Sequence, residues 1–411
     1  LYMGGIQWEK PLNMNPMSPD PHFFLISQTD VARPAIYETL YMFNALDGKA
    51  YPMLADGDYT WDADKKVLTL KIKAAAKWSD GTAVTANDVA ATFDAHVKYE
   101  SPTGVDYGQY ITVTAKDDAT VEIATKDDNY NPLKAEEYIC KVYVMQKAYL
   151  AKLAAEKGDD ASEMKTATMW DAPITGAYQP TMYDSDQKCI CTRRDDYWGQ
   201  DASMWGKLPV PKYLVHNIYS SNDVSATAFE AGQIDVNQSY VANLQQMWED
   251  KGLPISTYID EAPYQLGMSM PSMVFKCTKP GLDQKAVRKA IAIAVDYDQI
   301  VSSAMTGQSY TFAQVPRSLF NPTEGEQALI KDPETLKPYQ FVGKDIEGAN
   351  KLLDDAGIVD TNGDGIREYN GTELVFKCEC PTGWTDWMAA LTVVSDAGKE
   401  IGINLETYFP E

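Results

Sequence analysis

The sequence predicts an α/β protein, on three observations. Short runs read as strands, such as 67–73 with Val67, Leu68, Leu70 and Ile72, and 187–193 around Cys189, Ile190 and Cys191. Longer stretches with apolar residues three and four apart, such as 85–99 and 283–295, read as amphipathic helices. The two kinds are mixed along 411 residues, enough for two or three domains at roughly 100–200 residues each. The pattern is consistent with α/β layers and leaves the topology open.

In chain order, residues 1–41 begin with a short strand and then the loop Pro11-Leu12-Asn13-Met14-Asn15-Pro16, after which a helix-like stretch is expected up to Tyr41. Residues 42–175 carry expected strands at 59–62, 67–73, 109–114 and 120–124, and helices at 85–99 and 145–157. The polar segment 156–168 reads as a loop or helix end. Strands return at 177–184, 187–193 and 213–219, followed by a helix holding Ala226–Ala231. Beyond residue 268 the expectation is helices at 283–295, 344–356 and 386–401, a turn at 360–365, and strands at 373–379 and from Leu405. Gly402 and Asn404 stop the last helix.

A composition of 45% hydrophobic and 23% charged residues favours a packed core over disorder. The net charge of −23 disfavours nucleic acid and anionic membrane surfaces as partners. No run reaches the ~18–20 apolar residues that a membrane-spanning helix needs. The six cysteines include two pairs spaced by two, Cys189/Cys191 and Cys378/Cys380, which in strands would share a face. Buried free thiols, a cross-pair disulfide and a zinc site are all open at this point. Zinc is the weakest, because C-x₂-C spacing is missing and His22, His96 and His216 are isolated.

Residues 77–93, Lys-Trp-Ser-Asp-Gly-Thr-Ala-Val-Thr-Ala-Asn-Asp-Val-Ala-Ala-Thr-Phe, join a strand end, an Asp80-Gly81 turn and a helix start. Thr85 stands three residues before Asp88, an acidic variant of the capping box, and Val89, Phe93 and Val97 follow at helical spacing. This block resembles a signature of the peptide-type, family 5, solute-binding proteins of bacterial ABC importers. Further segments resemble that family in the same order. They are Tyr37-Glu38-Thr39-Leu40-Tyr41, Asp47-Gly48 with Pro52-Met53-Leu54-Ala55-Asp56, Thr175-Gly176-Ala177-Tyr178, Asp195-Asp196-Tyr197-Trp198-Gly199, Ala228–Asp235 and Val287–Asp296. In the third of these, Ala177 replaces the family's Pro.

The resemblance implies a bilobal periplasmic-binding-protein fold of type II with an extra subdomain. Residues 1–41 and 176–267 would form lobe 1, 42–175 the extra subdomain, and 268–411 lobe 2. It also implies that family chains continue past a strand matching Gly402-Ile403-Asn404-Leu405. The C-terminal portion is therefore expected to be missing here, and the start at Leu1-Tyr2-Met3 reads as the inside of a strand. The implied function is capture of a solute between two lobes and delivery to an ABC permease, by a monomer. The expected location is extracytoplasmic, periplasmic or as a surface lipoprotein.

The family carries peptides, metal chelates and oligosaccharides, so fold does not choose the ligand. The segment Pro381-Thr382-Gly383-Trp384-Thr385-Asp386-Trp387-Met388 enters a helix with two Trp around an Asp. An indole face packs on the apolar face of a pyranose, and a carboxylate accepts from its hydroxyls. Trp8 with Asn13 and Asn15 offers a second such set, since amides both donate and accept. Both segments resemble the cellobiose/β-oligosaccharide-binding branch of the family. Trp8, Asn13, Asn15, Trp384, Asp386 and Trp387 are therefore the expected ligand-binding residues, and Trp61, Trp78 and Trp198 are read as packing residues. Asn13 and Asn15 could equally cap turns, and Asp386 could serve its helix N-terminus alone. An oligopeptide is the alternative ligand; a sensor that reuses the fold is a further one.

The sequence lacks G-x-S-x-G, H-E-x-x-H, Walker A and G-x-G-x-x-G patterns, and 59 carboxylates produce acidic pairs by chance, so no enzyme is expected. No cofactor is expected either, with calcium as the one exception weighed. Asp360, Asn362 and Asp364 place oxygens at positions 1, 3 and 5 of an EF-hand-like loop with Gly365 at 6, and Glu368 nearby. The loop's second half fails, with Gly371 where the bidentate Glu belongs, so an acidic turn is the competing reading.

Overall fold

Alternation of side chains builds the first sheets. In the computed structural model, which describes residues 1–4, 10–19, 35–44, 47–265, 267, 271–317, 319–328 and 330–410, the chain opens in β1 (Tyr2–Gly4). The hairpin β2 (Tyr41–Asn44) and β3 (Lys49–Pro52) follows. Then come β4 (Thr60–Trp61), β5 (Val67–Lys71), α1 (Ala86–Lys98), α2 (Pro102–Tyr107), β6 (Ile111–Ala115) and β7 (Thr120–Thr125). Three helices, α3 (Pro132–Lys141), α4 (Lys147–Glu156) and α5 (Ala161–Thr166), lead to β8 (Tyr178–Met182), β9 (Lys188–Arg193) and β10 (Tyr213–Asn217). Helix α6 (Asn222–Glu230) precedes β11 (Val236–Asn237).

The antiparallel sheet β4-β5-β7-β6 turns Leu68, Leu70, Ile111, Val113, Val121 and Ile123 to one face. Helix α1 packs there through Val89 and Phe93, and Tyr107 closes the cluster with its ring 5.0 Å from Phe93. Val97 shares their spacing but stays 44% exposed. Each such large apolar side chain buried contributes roughly 1.5–3 kcal/mol. A second sheet has the order β11-β1-β10-β9-β8, with β1 parallel to both neighbours and β9 antiparallel to β8 and β10.

Three of the signature segments, 37–41, 175–178 and 195–199, converge on one buried carboxylate. Glu38 is completely buried and accepts hydrogen bonds from the Tyr197 hydroxyl and, at 2.9 Å, the Trp198 indole N–H. Thr175 accepts from the Glu38 backbone N–H through its hydroxyl at 2.8 Å. Burial pushes the Glu38 carboxyl up to about 7, against the pull of Tyr197, Trp198 and Arg194. Likewise, Asp88 accepts from Thr85 N–H and Lys147 N–H, each at 2.8 Å, so the 77–93 block is a helix start tied to α4. Trp78 and Trp198 are buried, and the Trp61 indole donates to Glu136.

The remaining elements are α7 (Leu244–Glu249), α8 (Lys285–Ala294), α9 (Tyr297–Gln299), α10 (Glu324–Gln327), α11 (Pro333–Leu336) and α12 (Ile346–Asp355). After them come β12 (Glu368–Tyr369), β13 (Thr372–Glu373), β14 (Val375–Glu379), α13 (Thr385–Glu400) and β15 (Asn404–Tyr408). Val287, Ala290, Ile291 and Ala294 form the apolar stripe of α8, at spacings of three and four. They pack with Ala349 and Leu353 of α12 and with Phe376 and Leu405 of the parallel pair β14–β15. Gly398 allows β15 to approach α13, since a Cβ there would lie 2.8 Å from the Ile403 carbonyl oxygen.

Contacts divide the chain into two units, Leu1–Tyr219 with Gln233–Gln238, and Ser220–Gly232 with Ser239–Glu411. Residues 220–232 and 239–267 thus group with the later chain, where the sequence reading put the boundary at 268. Hydrogen bonds from the Tyr240 hydroxyl to the Ala304 carbonyl (2.8 Å) and from Gln308 Nε2 to the Val241 carbonyl (2.7 Å) explain this. Two local expectations also change. Residues 35–40 are not helical; their backbone bonds to other segments, with Gly176 N–H donating to Ile36 and Val144 N–H to Glu38. The segment 156–168, expected as a loop or helix end, takes in the end of α4 and also contains α5, whose N-cap Asp160 accepts from Ser162 and Glu163. All six cysteines are free, with Cys189 and Cys191 buried on one face of β9. Among the described residues, no helix is long and apolar enough to cross a membrane.

Candidate functional site

Helix α13 begins without an ordinary side-chain cap, because its N-cap position is Trp384 and an indole has no acceptor for the first amides. The start is held from α6 instead. Asn222 N–H donates to the Gly383 carbonyl at 3.0 Å, and Asn222 Nδ2 donates to Asp386 Oδ1 at 2.9 Å. The Thr385 hydroxyl donates to Asp223 Oδ1 at 3.2 Å. Gly383 has φ +80°, and a Cβ on it would stand 2.7 Å from the Ser220 carbonyl oxygen, so the approach needs glycine.

Asp386 is buried, and that burial raises its carboxyl above the usual range while the Asp386 and Trp387 amides and Asn222 pull it back. The carboxylate is therefore turned to the protein's own donors. The two indoles flank it differently. Trp384 is half-buried, Trp387 is 37% exposed, and their ring centroids lie 4.8 Å apart at 79°. Such an edge-to-face pair fixes one aromatic surface against another while leaving apolar area open to a ligand.

The other expected ligand residues do not join this set. Trp8 lies outside the described residues. Asn15 is buried, and its Nδ2 donates to the carbonyls of Met164 (2.8 Å) and Ala167 (3.0 Å), while its Oδ1 accepts from Met17 N–H. Asn13 accepts from Asn15 N–H and donates to Ser18 Oγ. Their amide groups are used in capping the end of α5 and the 13–18 turn, the alternative role weighed for both.

In the 360–365 loop, weighed as an acidic turn or a calcium site, the same kind of self-contact is seen. Asp360 accepts from Gly363 N–H and Gly365 N–H through its two oxygens, and Asp364 Oδ1 accepts from Ile366 N–H. Asn362 Oδ1 accepts from Asp364 N–H, its Nδ2 donates to Asp364 Oδ2, and Glu368 is turned to Thr361 N–H. The oxygens close the loop's own turns. No group of three or more His, Cys, Asp or Glu among the described residues is placed to hold a metal ion.

Sequence reasoning missed Asn222 and Asp223. The run Ser220-Ser221-Asn222-Asp223 signals a helix start, and Ser221 does cap α6 by accepting from Val224 N–H. Nothing local indicates that the second amide reaches a carboxylate 164 residues away.

Residues 49–409 match the family described as bacterial extracellular solute-binding proteins, family 5 Middle. The nickel-binding periplasmic protein of Escherichia coli (strain K12) is 26% identical over 380 residues, covering 89% of this chain and 63% of that protein. The chain thus spans less than two thirds of that curated relative's length. Among solved structures, the periplasmic oligopeptide-binding protein of Thermotoga maritima with bound mannohexaose matches with a TM-score of 0.85 at 25% identity, over 100% of this chain and 72% of that one. The oligopeptide-binding protein AppA of Bacillus subtilis, in complex with a nonapeptide, shares the fold with a TM-score of 0.75 at 20% identity, over 100% and 74% of the two chains. The architecture is therefore the α/β periplasmic-binding-protein fold, in a family of extracytoplasmic binding proteins rather than enzymes. With the family match running through both compact units, the chain belongs to the bacterial extracellular solute-binding proteins of family 5.

Proposed function

We propose that this protein is the solute-binding component of an ABC importer and that its cargo is an oligosaccharide, β-linked and of the cello, manno or xylo type. The observation that carries this reading is the Trp384–Trp387 pair, an exposed indole set edge-to-face against a half-buried one at the start of a 16-residue helix. An open indole face suits the apolar face of a pyranose, and bridging waters would complete the hydroxyl contacts. The mannohexaose bound by the Thermotoga protein supports a saccharide. The resemblance of the Trp384–Trp387 segment to the β-oligosaccharide branch supports the linkage. Trp8 remains part of the proposed ligand set. Loaded protein would hand its cargo to a membrane permease, with a separate ATPase driving transport.

The second reading is an oligopeptide, supported by the nonapeptide that AppA binds. A calorimetric screen of the purified protein against cello-, manno- and xylo-oligosaccharides beside di- to pentapeptides separates the two. Micromolar binding of at least one saccharide series is expected. Heats with peptides and none with any saccharide would replace the first reading with the second.

A further inference from the structure

We infer that Asn222 is the positioning residue of the Trp384–Trp387 platform, acting through the Asp386 carboxylate. The inference rests on the saccharide reading above for its ligand, and on geometry alone for its mechanics. All the residues involved belong to the second unit.

Asn222 and Asp386 are 5% and 7% exposed, so the hydrogen bond between them is made away from water. Without Asn222 the buried carboxylate keeps only the Asp386 and Trp387 amides of its own helix start, so part of its desolvation cost goes uncompensated and the first turn of α13 shifts to relieve it. Trp384, Asp386 and Trp387 all lie in the N-cap and first turn of α13, so a shift of that turn is passed to the edge-to-face contact of the two rings. The contacts around the pair act in the same direction. Asn222 N–H holds the Gly383 carbonyl, and Asp223 accepts from Thr385, so the starts of α6 and α13 are joined at three adjacent points. Trp384 offers no cap of its own. The orientation of the platform is thus supplied by a neighbouring helix rather than by the helix that carries it.

The amide is the required chemistry at position 222. It donates through Nδ2 to Asp386 without adding a second charge. Asn222→Asp would set two carboxylates about 3 Å apart, and such pairs share one proton at the expense of the doubly ionised form. The other titratable groups around the pair are Asp223 on α6, Tyr240, and Cys380 ahead of α13. Burial raises both the Tyr240 hydroxyl and the Cys380 thiol, so both stay protonated between pH 5 and 7.5. Asp223 is common to all the variants.

The test compares Asn222→Ala, Asn222→Asp and the exchange Asn222→Asp/Asp386→Asn, in which donor and acceptor trade places. Two signals are read: circular dichroism of the coupled indoles without ligand, and calorimetric affinity for cellopentaose and mannohexaose. Asn222→Ala should weaken saccharide binding about tenfold and alter the indole signal. Asn222→Asp should weaken it further at pH 7.5 and recover towards pH 5. The exchange should return both signals to within about threefold of wild type, at which point the inference stands. Unchanged indole dichroism in Asn222→Ala, or an exchange that restores neither signal, overturns it. If no saccharide binds the wild-type protein, the ligand reading fails separately, and the dichroism series still decides whether Asn222 sets the platform.

Discussion

Glu38 in the first unit and Asp386 in the second are both buried carboxylates whose donors come from far along the chain. Burial raises both groups. Their surroundings differ. Around Glu38 the donors are themselves core residues, Tyr197 and Trp198, and the network closes on itself. Around Asp386 the donors are the Asn222 side chain and the amides of its own helix start, and the adjoining Trp387 is open to solvent. Three of the segments that make the family recognisable, 37–41, 175–178 and 195–199, meet at Glu38, so their recognisability follows a polar core that must be completed. The candidate ligand residues stand where a completed polar contact adjoins exposed aromatic surface. A buried carboxylate is thus no guide to function until its neighbours' exposure is known.

The comparison breaks first at the core. Trp198→Ala removes a buried indole and one of the donors to Glu38, and should cost about 4 kcal/mol of stability, read as a large drop in the urea midpoint. If the protein keeps wild-type stability, the Glu38 network is not what holds these segments together.

A pH effect of about 3 kcal/mol comes next, and it is concealed in the wild type. The Glu38 carboxyl is raised to about 7 from 4.5, so the folded state binds its proton more tightly than the unfolded one. Its contribution is present below pH 4.5 and is lost as pH rises through 7, by about 3 kcal/mol. His96 is buried, with Ser101 Oγ 2.7 Å from its Nδ1, and burial lowers its imidazolium from 6.5 to about 4. Its contribution has the opposite sign, being present above pH 6.5 and lost as pH falls through 4, also by about 3 kcal/mol. Between pH 4.5 and 6.5 the two slopes nearly cancel. In urea titrations across that window, Glu38→Gln should become more stable with rising pH and His96→Gln less stable. Parallel pH profiles for the two variants would contradict the assignment of either group.

The elements readable from sequence were those with a one-sided stripe. Helices α1, α8 and α12 and the alternating strands β5, β6 and β7 each bury one face, so period alone identifies them. Residues 35–41 misled for a physical reason. Ile36, Tyr37, Leu40 and Tyr41 have helical spacing, yet all four are completely enclosed. A segment surrounded on every side carries apolar residues whatever its conformation. In the site, Trp384 and Trp387 were legible because two indoles around an Asp at a helix start are unusual. Asn13 and Asn15 were equally conspicuous, but an amide that caps a distant helix end looks in sequence like one that awaits a ligand. Asn222 had no signal of its own, since its partner is set by packing across 164 residues.

Asn15 gives the third and smaller effect. Asn15→Ala removes the Nδ2 donor from the Met164 and Ala167 carbonyls and should cost about 2 kcal/mol of stability, with saccharide affinity unchanged within twofold. A selective loss of affinity in a stable Asn15→Ala variant would return this residue to the ligand set.

The smallest effect on stability should accompany a large effect on binding. Trp387 is over a third exposed and contributes one edge-to-face contact with Trp384, worth about 1 kcal/mol. Trp387→Ala should therefore shift the urea midpoint little. If its open face carries a sugar ring, the same change removes a stacking surface and should weaken saccharide binding at least about tenfold, as measured by calorimetry. Trp198→Ala makes the opposite pattern the rule for the core, a stability loss that lowers affinity only by depleting folded protein. The ratio of the two losses in each variant then distinguishes an indole that holds the fold from one that holds the cargo. A Trp387→Ala protein that is strongly destabilised, yet binds saccharide as wild type does when folded, would erase the distinction between the Glu38 and Asp386 surroundings.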